Sequence, residues 1–532
     1  MTEKFKNFKN MVIYEIYPRS FFDTNGDGIG DLNGVCAKLD YLKELGVDAI
    51  WLCPCYKSPN VDNGYDIADY RQIMDEFGTL DDAKRLIAEI KKRNMKLIMD
   101  FVPNHTSNQH EWLTESRKSK DNPYSDYYYW VDEPINNWKS MFCGSAWEYD
   151  EVRGQYYLHS YAVEQPDLNW DNPKVVKEMQ DIIDFWIDLG VDGFRCDVID
   201  QISKDFEGDR NCFGPNLHKY INQLFGREKA KHLFTIGECW ANDIDEICRH
   251  TKEERGELST LFQGDHIERT GRNGKWEPAK PELRTARDIL TKWQILNQEN
   301  DILHTLFTDN HDNNLFISRA ANDMELRYES ATCISTMVFL MNGIPLIYQG
   351  QEFGVCSSHY NSIDSFDDIE SMNKYNELIA NGKTHEQALA TINFGGRDNA
   401  RRPMAWNSAK NGGFTDGTPW IEMGSRFEEI NLESDRTSEK SIFNFHKALF
   451  ALRREKDELR QGIFNPIHKM EDNYALYVRE LDGKRISVLC NFDDTVKIDL
   501  PETKGKILLS NYGRLDGDES EFRPYEISVY SL

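Results

Sequence analysis

The stretch "GFRCD", Gly193 to Asp197, is a run of strand length that ends in a carboxylate, with an arginine two places before it. Alternate strand residues face the same side, so Gly193, Arg195 and Asp197 point one way and Phe194, Cys196 and Val198 the other. Three more stretches also join an acid to the end of an apolar run: "DFVPNH" (Asp100 to His105), "IGE" (Ile236 to Glu238) and "DNHD" (Asp309 to Asp312), each roughly one β-α unit or more from the next. In a parallel barrel the carboxyl ends of the strands converge on one face, where catalytic side chains sit. Asp197, Glu238 and Asp312, remote in sequence, are therefore expected in one pocket.

An aspartate beside an inward arginine stays ionised at neutral pH, as a carboxylate nucleophile requires. Glu238, at the end of its own apolar run, would hold a proton if its surroundings are drier. Two carboxyls with separated pKa values are the machinery of glycoside hydrolysis.

Outward from this core the β-α rhythm is legible. Ala49 to Leu52 reads as a strand. A helix over Thr79 to Arg93 follows, with Thr79 as N-cap, Asp82 three places on, and Ala83, Leu86, Ile87 and Ile90 on one face. Leu97 to Phe101 is the next strand. From Asn104 to Asn172 the rhythm breaks into a stretch rich in Trp, Tyr, Asn, Ser and Asp, too long for an ordinary loop. It resumes at Pro173 with a helix closed by Gly190, the GFRCD strand, then strands at Phe234 to Glu238, Leu306 to Asp309 and Leu346 to Gln349. Gly350 to Gly424 reads as a long connection at the pocket mouth. Past Asp457 come short β-like runs. The expected organisation is a (β/α)8 TIM barrel over 1–103 and 173–457, an inserted small domain over 104–172 after the third strand, and a C-terminal antiparallel β-sandwich over 458–532.

With 532 residues there is length for a barrel and smaller domains. A net charge of -27 repels nucleic-acid phosphates and anionic membranes, which makes a neutral partner the expectation. The start "MTEKFKNFKN" lacks an apolar signal region, and no run approaches 18 apolar residues, so a cytoplasmic location is expected. Eleven cysteines without a CxxC pair read as reduced, buried thiols, Cys53, Cys55 and Cys196 included. The 12 Trp and 24 Tyr suit sugar stacking, although most serve the core.

The four stretches, in this order, resemble the signature regions of the alpha-amylase superfamily, and their details are similar to its oligo-1,6-glucosidase branch. "YEIYPRSF" (Tyr14 to Phe21), "DNGYDI" (Asp62 to Ile67), "QPDLNW" (Gln165 to Trp170), "GIPLIYQGQE" (Gly343 to Glu352) and "RDNARRPMAW" (Arg397 to Trp406) extend the likeness from about Met11 to Trp406. The resemblance implies that Asp197 is the nucleophile, Glu238 the acid/base and Asp312 the transition-state stabiliser, with Arg195 holding Asp197 charged. It implies that His105 and His311 bind hydroxyls of the cleaved glucose. Tyr65 would form a stacking platform, and Asp62 would pair with an arginine of "RDNARRP", matched to Arg401, to close the pocket beyond one sugar.

The resemblance also implies a structural Ca2+ in "DTNGDGIGD", held by Asp23, Asn25, Asp27, the Ile29 carbonyl and Asp31 at alternating positions, and no organic cofactor. A Val after the nucleophile, here Val198, goes with α-1,6 specificity in this branch. The expected partner is a small α-glucoside oligosaccharide, taken by a monomer or weak oligomer. Sucrose, trehalose 6-phosphate and α-1,4 maltooligosaccharides stay open as substrates, and a non-catalytic binding relative is the remote alternative. The chain departs from the branch at Asn313, Asn314 and Leu315, where Gln-Pro-Arg is usual, at Gly264, Asp265 and His266 in place of aromatic-Glu-His, and in a short stretch from Ser203 to Pro215. All three departures fall on the leaving-group side. A charged "RLDRD"-like stretch, associated with sucrose isomerases, is missing, which favours hydrolysis.

Overall fold

The computed structural model describes residues 8–268, 275–277, 282–517 and 520–532. Eight parallel strands form its centre: β1 (Ile13–Ile16), β2 (Ala49–Leu52), β3 (Lys96–Phe101), β4 (Gly193–Cys196), β5 (Phe234–Gly237), β6 (Thr260–Leu261), β7 (Thr305–Leu306) and β8 (Ile344–Tyr348). Their hydrogen-bonded order runs β6-β5-β4-β3-β2-β1-β8-β7. A parallel bridge from Leu261 to His304 joins the two ends and closes the barrel. The registers are regular, with Ile98 opposite Gly193, Phe234 opposite Gly193 and Ile13 opposite Ala49. Strands covered on both faces read as unbroken apolar runs, and β1, β2, β4, β5 and β8 are buried at every residue.

The helices form where the sequence signals place them. Leu80–Lys92 starts on a capping box in which Thr79 and Asp82 satisfy each other's backbone N–H, and its buried face is Ala83, Leu86, Ile87 and Ile90. Pro173–Leu189 has Asn172 as N-cap and ends at Gly190 with φ 105°, a left-handed cap natural for glycine. Between β3 and that helix, within 104–172, lie a short helix, Glu111–Ser116, and a three-stranded sheet of Trp130–Val131, Trp147–Asp150 and Gln155–Leu158.

Two expectations need correcting. The stretch from Gly350 to Gly424 is not connection alone: it holds the helices Ile369–Ala380 and His385–Gly395, capped by Asp368 and Thr384, and the short helix Asp398–Arg401. The strand expected at Leu306 to Asp309 is shorter and earlier, Thr305–Leu306, and the Asp309 carboxylate beyond it accepts the Phe316 N–H at 2.7 Å. Beyond the barrel, five antiparallel strands in the order 463–466, 474–481, 484–491, 527–531 and 506–510 form one sheet. A two-stranded ribbon of Val496–Lys497 and Glu521–Phe522 covers one face, with Leu476, Leu489, Ile498 and Phe522 sealed between. That is a small two-layer β unit.

Candidate active site

The pocket is built from the carboxyl ends of the strands. Asp197 follows β4 directly, Glu238 follows β5, His105 sits in the connection after β3, Asp62 and Tyr65 after β2, and His311 and Asp312 after β7. Together with the helix Asp398–Arg401 beyond β8 they surround a cavity of about 390 Å3, lined by Asp62, Tyr65, His105, Asp197, Val198, Glu238, Asp312 and Arg397 among others. One sugar ring with part of a second fits such a volume.

Arg195 organises the two reactive carboxyls. Its Nη1 donates to Asp197 Oδ1 at 2.7 Å and to Asp100 Oδ1 at 3.0 Å, and its Nη2 donates to Glu238 Oε2. The Val198 N–H also donates to Glu238 Oε2, at 3.1 Å. The arginine is buried. The expectation that it simply keeps Asp197 ionised is too simple, because one guanidinium serves three carboxyls. Burial pushes Asp197 well above the usual aspartate range. Arg195 pulls it back, and the Glu238, Asp100 and Asp312 charges push it up again.

Asp312 stands in the opposite electrostatic setting. Burial opposes its ionisation, but His311, Arg397 and Arg401 hold it well below the usual range. His311 Nε2 is 3.0 Å away, Arg397 Nη1 2.9 Å and Arg401 Nη2 3.1 Å. His311 itself stands behind the wall, 1% exposed. Its Nδ1 meets Glu15 Oε1 at 2.6 Å and its Nε2 meets Tyr65 Oη at 2.7 Å. Burial lowers its pKa, yet Asp312 and Cys53 raise it well above the ordinary histidine value. His311 therefore positions Asp312 and Tyr65 rather than presenting a free nitrogen to the cavity. His105 does line it, and burial keeps that imidazole neutral, with its pKa lowered to about 4.

The arginine partner of Asp62 is a correction. Arg397, not Arg401, makes the pair, with Nη2 2.9 Å from Asp62 Oδ1. Arg401 donates instead to the His311 carbonyl at 3.0 Å and to Asp312. The two arginines lie one helical turn apart and face different neighbours. Gln165 Nε2 completes the group by donating to Asp62 Oδ2 at 3.0 Å. Val198 is a second correction: β4 ends at Cys196, and Val198 turns into the left-handed region at φ 33°, which brings it into the pocket lining instead of leaving it on the outer face. Cys196 stays in the core as expected.

Sequence reasoning missed the outer half of the pocket. Trp240, Glu268, Lys275, Trp276 and Glu370 line it, and Lys275 Nζ sits 2.6 Å from Glu370 Oε2. Trp240, two places after Glu238 and half-exposed, was the one findable signal.

The loop from Asp23 to Asp31 offers an all-oxygen donor set that suits a hard cation in kind. Asp23 accepts the Asn25, Gly26 and Gly28 N–H groups, and Asp31 caps the next helix through Gly34 N. Carboxylates retain lone pairs beyond these bonds. Asp23, Asp27 and Asp31 are not among the groups of described residues whose ligand atoms all lie within 4.8 Å of one another. A Cβ at Gly28, where φ is 93°, would lie 1.8 Å from the Thr418 carbonyl, which fixes glycine in this turn.

Residues 15–462 match the family model described as alpha amylase, catalytic domain. The chain belongs to the alpha-amylase family. It is a glycoside hydrolase. It is 43% identical to an oligo-1,6-glucosidase of Parageobacillus thermoglucosidasius over 99% of each chain, and 39% identical to a trehalose-6-phosphate hydrolase of Bacillus subtilis over 100% of this chain and 99% of the other. A solved structure of an isomaltulose synthase mutant from Erwinia rhapontici, in complex with its natural substrate sucrose, superposes with a TM-score of 0.94 at 37% identity over 99% of each chain. Among the described residues no helix is long and apolar enough to cross a membrane.

Proposed function

We propose that this alpha-amylase family enzyme is a retaining, exo-acting α-glucosidase that hydrolyses the non-reducing-end α-1,6 bond of isomaltose and short isomaltooligosaccharides. The observation that carries it is Arg195, which reaches Asp197 and Glu238 from the two ends of one guanidinium fork. Two carboxyls held on one guanidinium support the shorter carboxyl spacing of retaining enzymes over the ~6.5–9.5 Å of inverting ones. Asp197 attacks the anomeric carbon and the C–O bond to the leaving sugar breaks. Glu238 gives its proton to that oxygen, then takes one from the water that opens the glycosyl-enzyme. Asp312, kept ionised, faces the oxocarbenium-like charge. The Asp62–Arg397 pair closes the far end, which favours release of single glucose units.

The linkage rests on Val198 beside Glu238 and on the oligo-1,6-glucosidase relative. Trehalose 6-phosphate is less well served: among the described lining residues of the outer half the cation is Lys275, paired with Glu370 and facing Glu268. Initial glucose release from isomaltose, maltose, sucrose and trehalose 6-phosphate at equal concentration tests the substrate. Fastest turnover of isomaltose is expected, and preference for the phosphorylated sugar would overturn the reading. Asp197→Asn is expected to abolish release, with α-glucose as the first anomer seen by NMR in the wild type. The same reading places the protein in the cytoplasm as a monomer or weak oligomer. It assigns Asp23, Asn25, Asp27, the Ile29 carbonyl and Asp31 to a structural Ca2+, which would tie the loop after β1. A Ca2+-dependent rise in Tm, lost in Asp27→Ala, checks that assignment.

A further inference from the structure

Cys239, the residue after the acid/base, borders a second polar cluster outside the sugar pocket. His218 stands in the first turn of the helix Leu217–Phe225, Glu246 and His250 lie one turn apart on the helix Ile244–Thr251, and Glu257 lies on the approach to β6. Glu257 Oε2 is 2.8 Å from His218 Nδ1 and 3.5 Å from His250 Nδ1. On the other side of both rings, Glu246 Oε1 is 3.1 Å from His218 Nε2 and 3.4 Å from His250 Nε2. The rings are 4.6 Å apart at 38°. The second oxygens of the two glutamates are occupied, Glu257 Oε1 by Arg255 at 2.9 Å and Glu246 Oε2 by Arg249 at 3.1 Å.

His250 is the telling member. It is fully buried, and neither ring nitrogen makes a hydrogen bond of normal geometry. A buried imidazole left that way is costly, unless something else fills the gap. Glu246 Oε1 and Glu257 Oε2 lie 3.4 Å from its Nε2 and 3.5 Å from its Nδ1, so a carboxylate faces each side of the ring. The Nδ1 side of both rings, with Glu257, brings one ligand atom from each of three residues within 4.8 Å of one another.

The geometry points to a transition-metal site in which His218 Nδ1, His250 Nδ1 and Glu257 Oε2 bind a borderline divalent ion such as Zn2+. Two imidazoles and a carboxylate with a fourth position open to water form a donor set that zinc accepts. Glu246 Oε1, 3.1 Å from His218 Nε2 and 3.4 Å from His250 Nε2, occupies the place of the carboxylate that orients metal-bound histidines. An ion reaches the site from the surface, where the His218 and Glu246 side chains are 24% and 20% exposed. Bound there, it pins the helix that follows the acid/base strand to its neighbour. Nitrogen donors set it apart from the all-oxygen loop at Asp23 to Asp31.

The test uses the full-length protein, stripped with a chelator and titrated with Zn2+ against a chromophoric competitor, with the bound ion counted by elemental analysis. One equivalent is expected, with two imidazoles in its X-ray absorption spectrum. His250→Tyr should lose it, and Glu246→Gln should weaken it about 10–100-fold. Asp27→Ala should retain it. Circular dichroism and glucose release show whether the His250 variant is folded, and Glu246→Gln, which leaves all three ligands in place, gives an independent reading if it is not. A stripped wild type that takes up no zinc, or an equivalent that survives His250→Tyr, overturns the site. In the latter case zinc that also abolishes activity would lie on Glu15, Cys53 and His311 instead.

Discussion

Arg397 bridges Asp62 and Asp312: its Nη2 is 2.9 Å from Asp62 Oδ1 and its Nη1 2.9 Å from Asp312 Oδ1. One guanidinium thus joins the closed end of the pocket to the acid held for the transition state. Truncating one partner of a buried, hydrogen-bonded charge pair costs ~2–5 kcal/mol, so Arg397→Ala is expected to lower kcat/KM for isomaltose by at least ~30-fold. Asp62→Ala should lower it too and open the wall, so that dextran is cut internally. Product sizing by chromatography checks this, and glucose as the sole product from Asp62→Ala would remove the wall from the account of exo action.

Glu268 supplies a pH signature. Burial first, then the Glu238 and Asp312 charges, push its carboxyl up to about 7 against the pull of Lys275 and Arg319. The folded pKa exceeds the unfolded one, so the folded state binds more protons between about 4.5 and 7 and stability falls as pH rises through that window. Glu268→Gln removes the titration. Its Tm, relative to wild type, is expected to rise between pH 5 and pH 8, and an inflection near 7 in kcat/KM should vanish. A Tm difference that does not change with pH would count against ionisation of Glu268 in the fold.

The barrel was legible because its strands are buried on both faces and its helices carry local caps: Thr79 with Asp82, and Pro173 with Gly190, each state a boundary in the sequence. Asp197 and Glu238 were legible because each ends an apolar run, and Asp312 through the "DNHD" stretch it closes. The sequence match fell on Arg401, with Arg402 second, and passed over Arg397, because only the packed segment shows which side chain of "RDNARRP" turns to Asp62. Val198 was misplaced because period-2 alternation holds only while the strand lasts. Glu370 and Lys275 come from segments whose contact depends on tertiary packing over the mouth, for which neither period nor spacing gives notice.

Glu238→Gln separates protonation of the leaving group from attack. A positioned general acid contributes about 10²–10⁴-fold, so turnover of isomaltose should fall by that order. A 4-nitrophenyl α-glucoside, whose leaving group departs without a proton, should show a burst of nitrophenol close to the wild-type rate, followed by slow hydrolysis of the glycosyl-enzyme. Equal losses on both substrates, with no burst, would move the acid role away from Glu238.

Val198 joins backbone strain to linkage choice. A β-branched residue at φ 33° and ψ 48° is disfavoured sterically, at a cost of about 1–2 kcal/mol, and the bond from its N–H to Glu238 Oε2 at 3.1 Å helps hold it there. The strain sets a branched side chain beside the acid/base, where the leaving sugar must pass. Val198→Ala removes two methyl groups. Methylene-sized changes in a pocket shift discrimination by ~10–200-fold, so the ratio of kcat/KM for maltose over isomaltose should rise at least ~10-fold. Val198→Gly should move the ratio the same way and also relieve the left-handed strain, so its Tm should not fall. An unchanged ratio in both variants would transfer the linkage preference to the altered residues around Asn313 and Asp265.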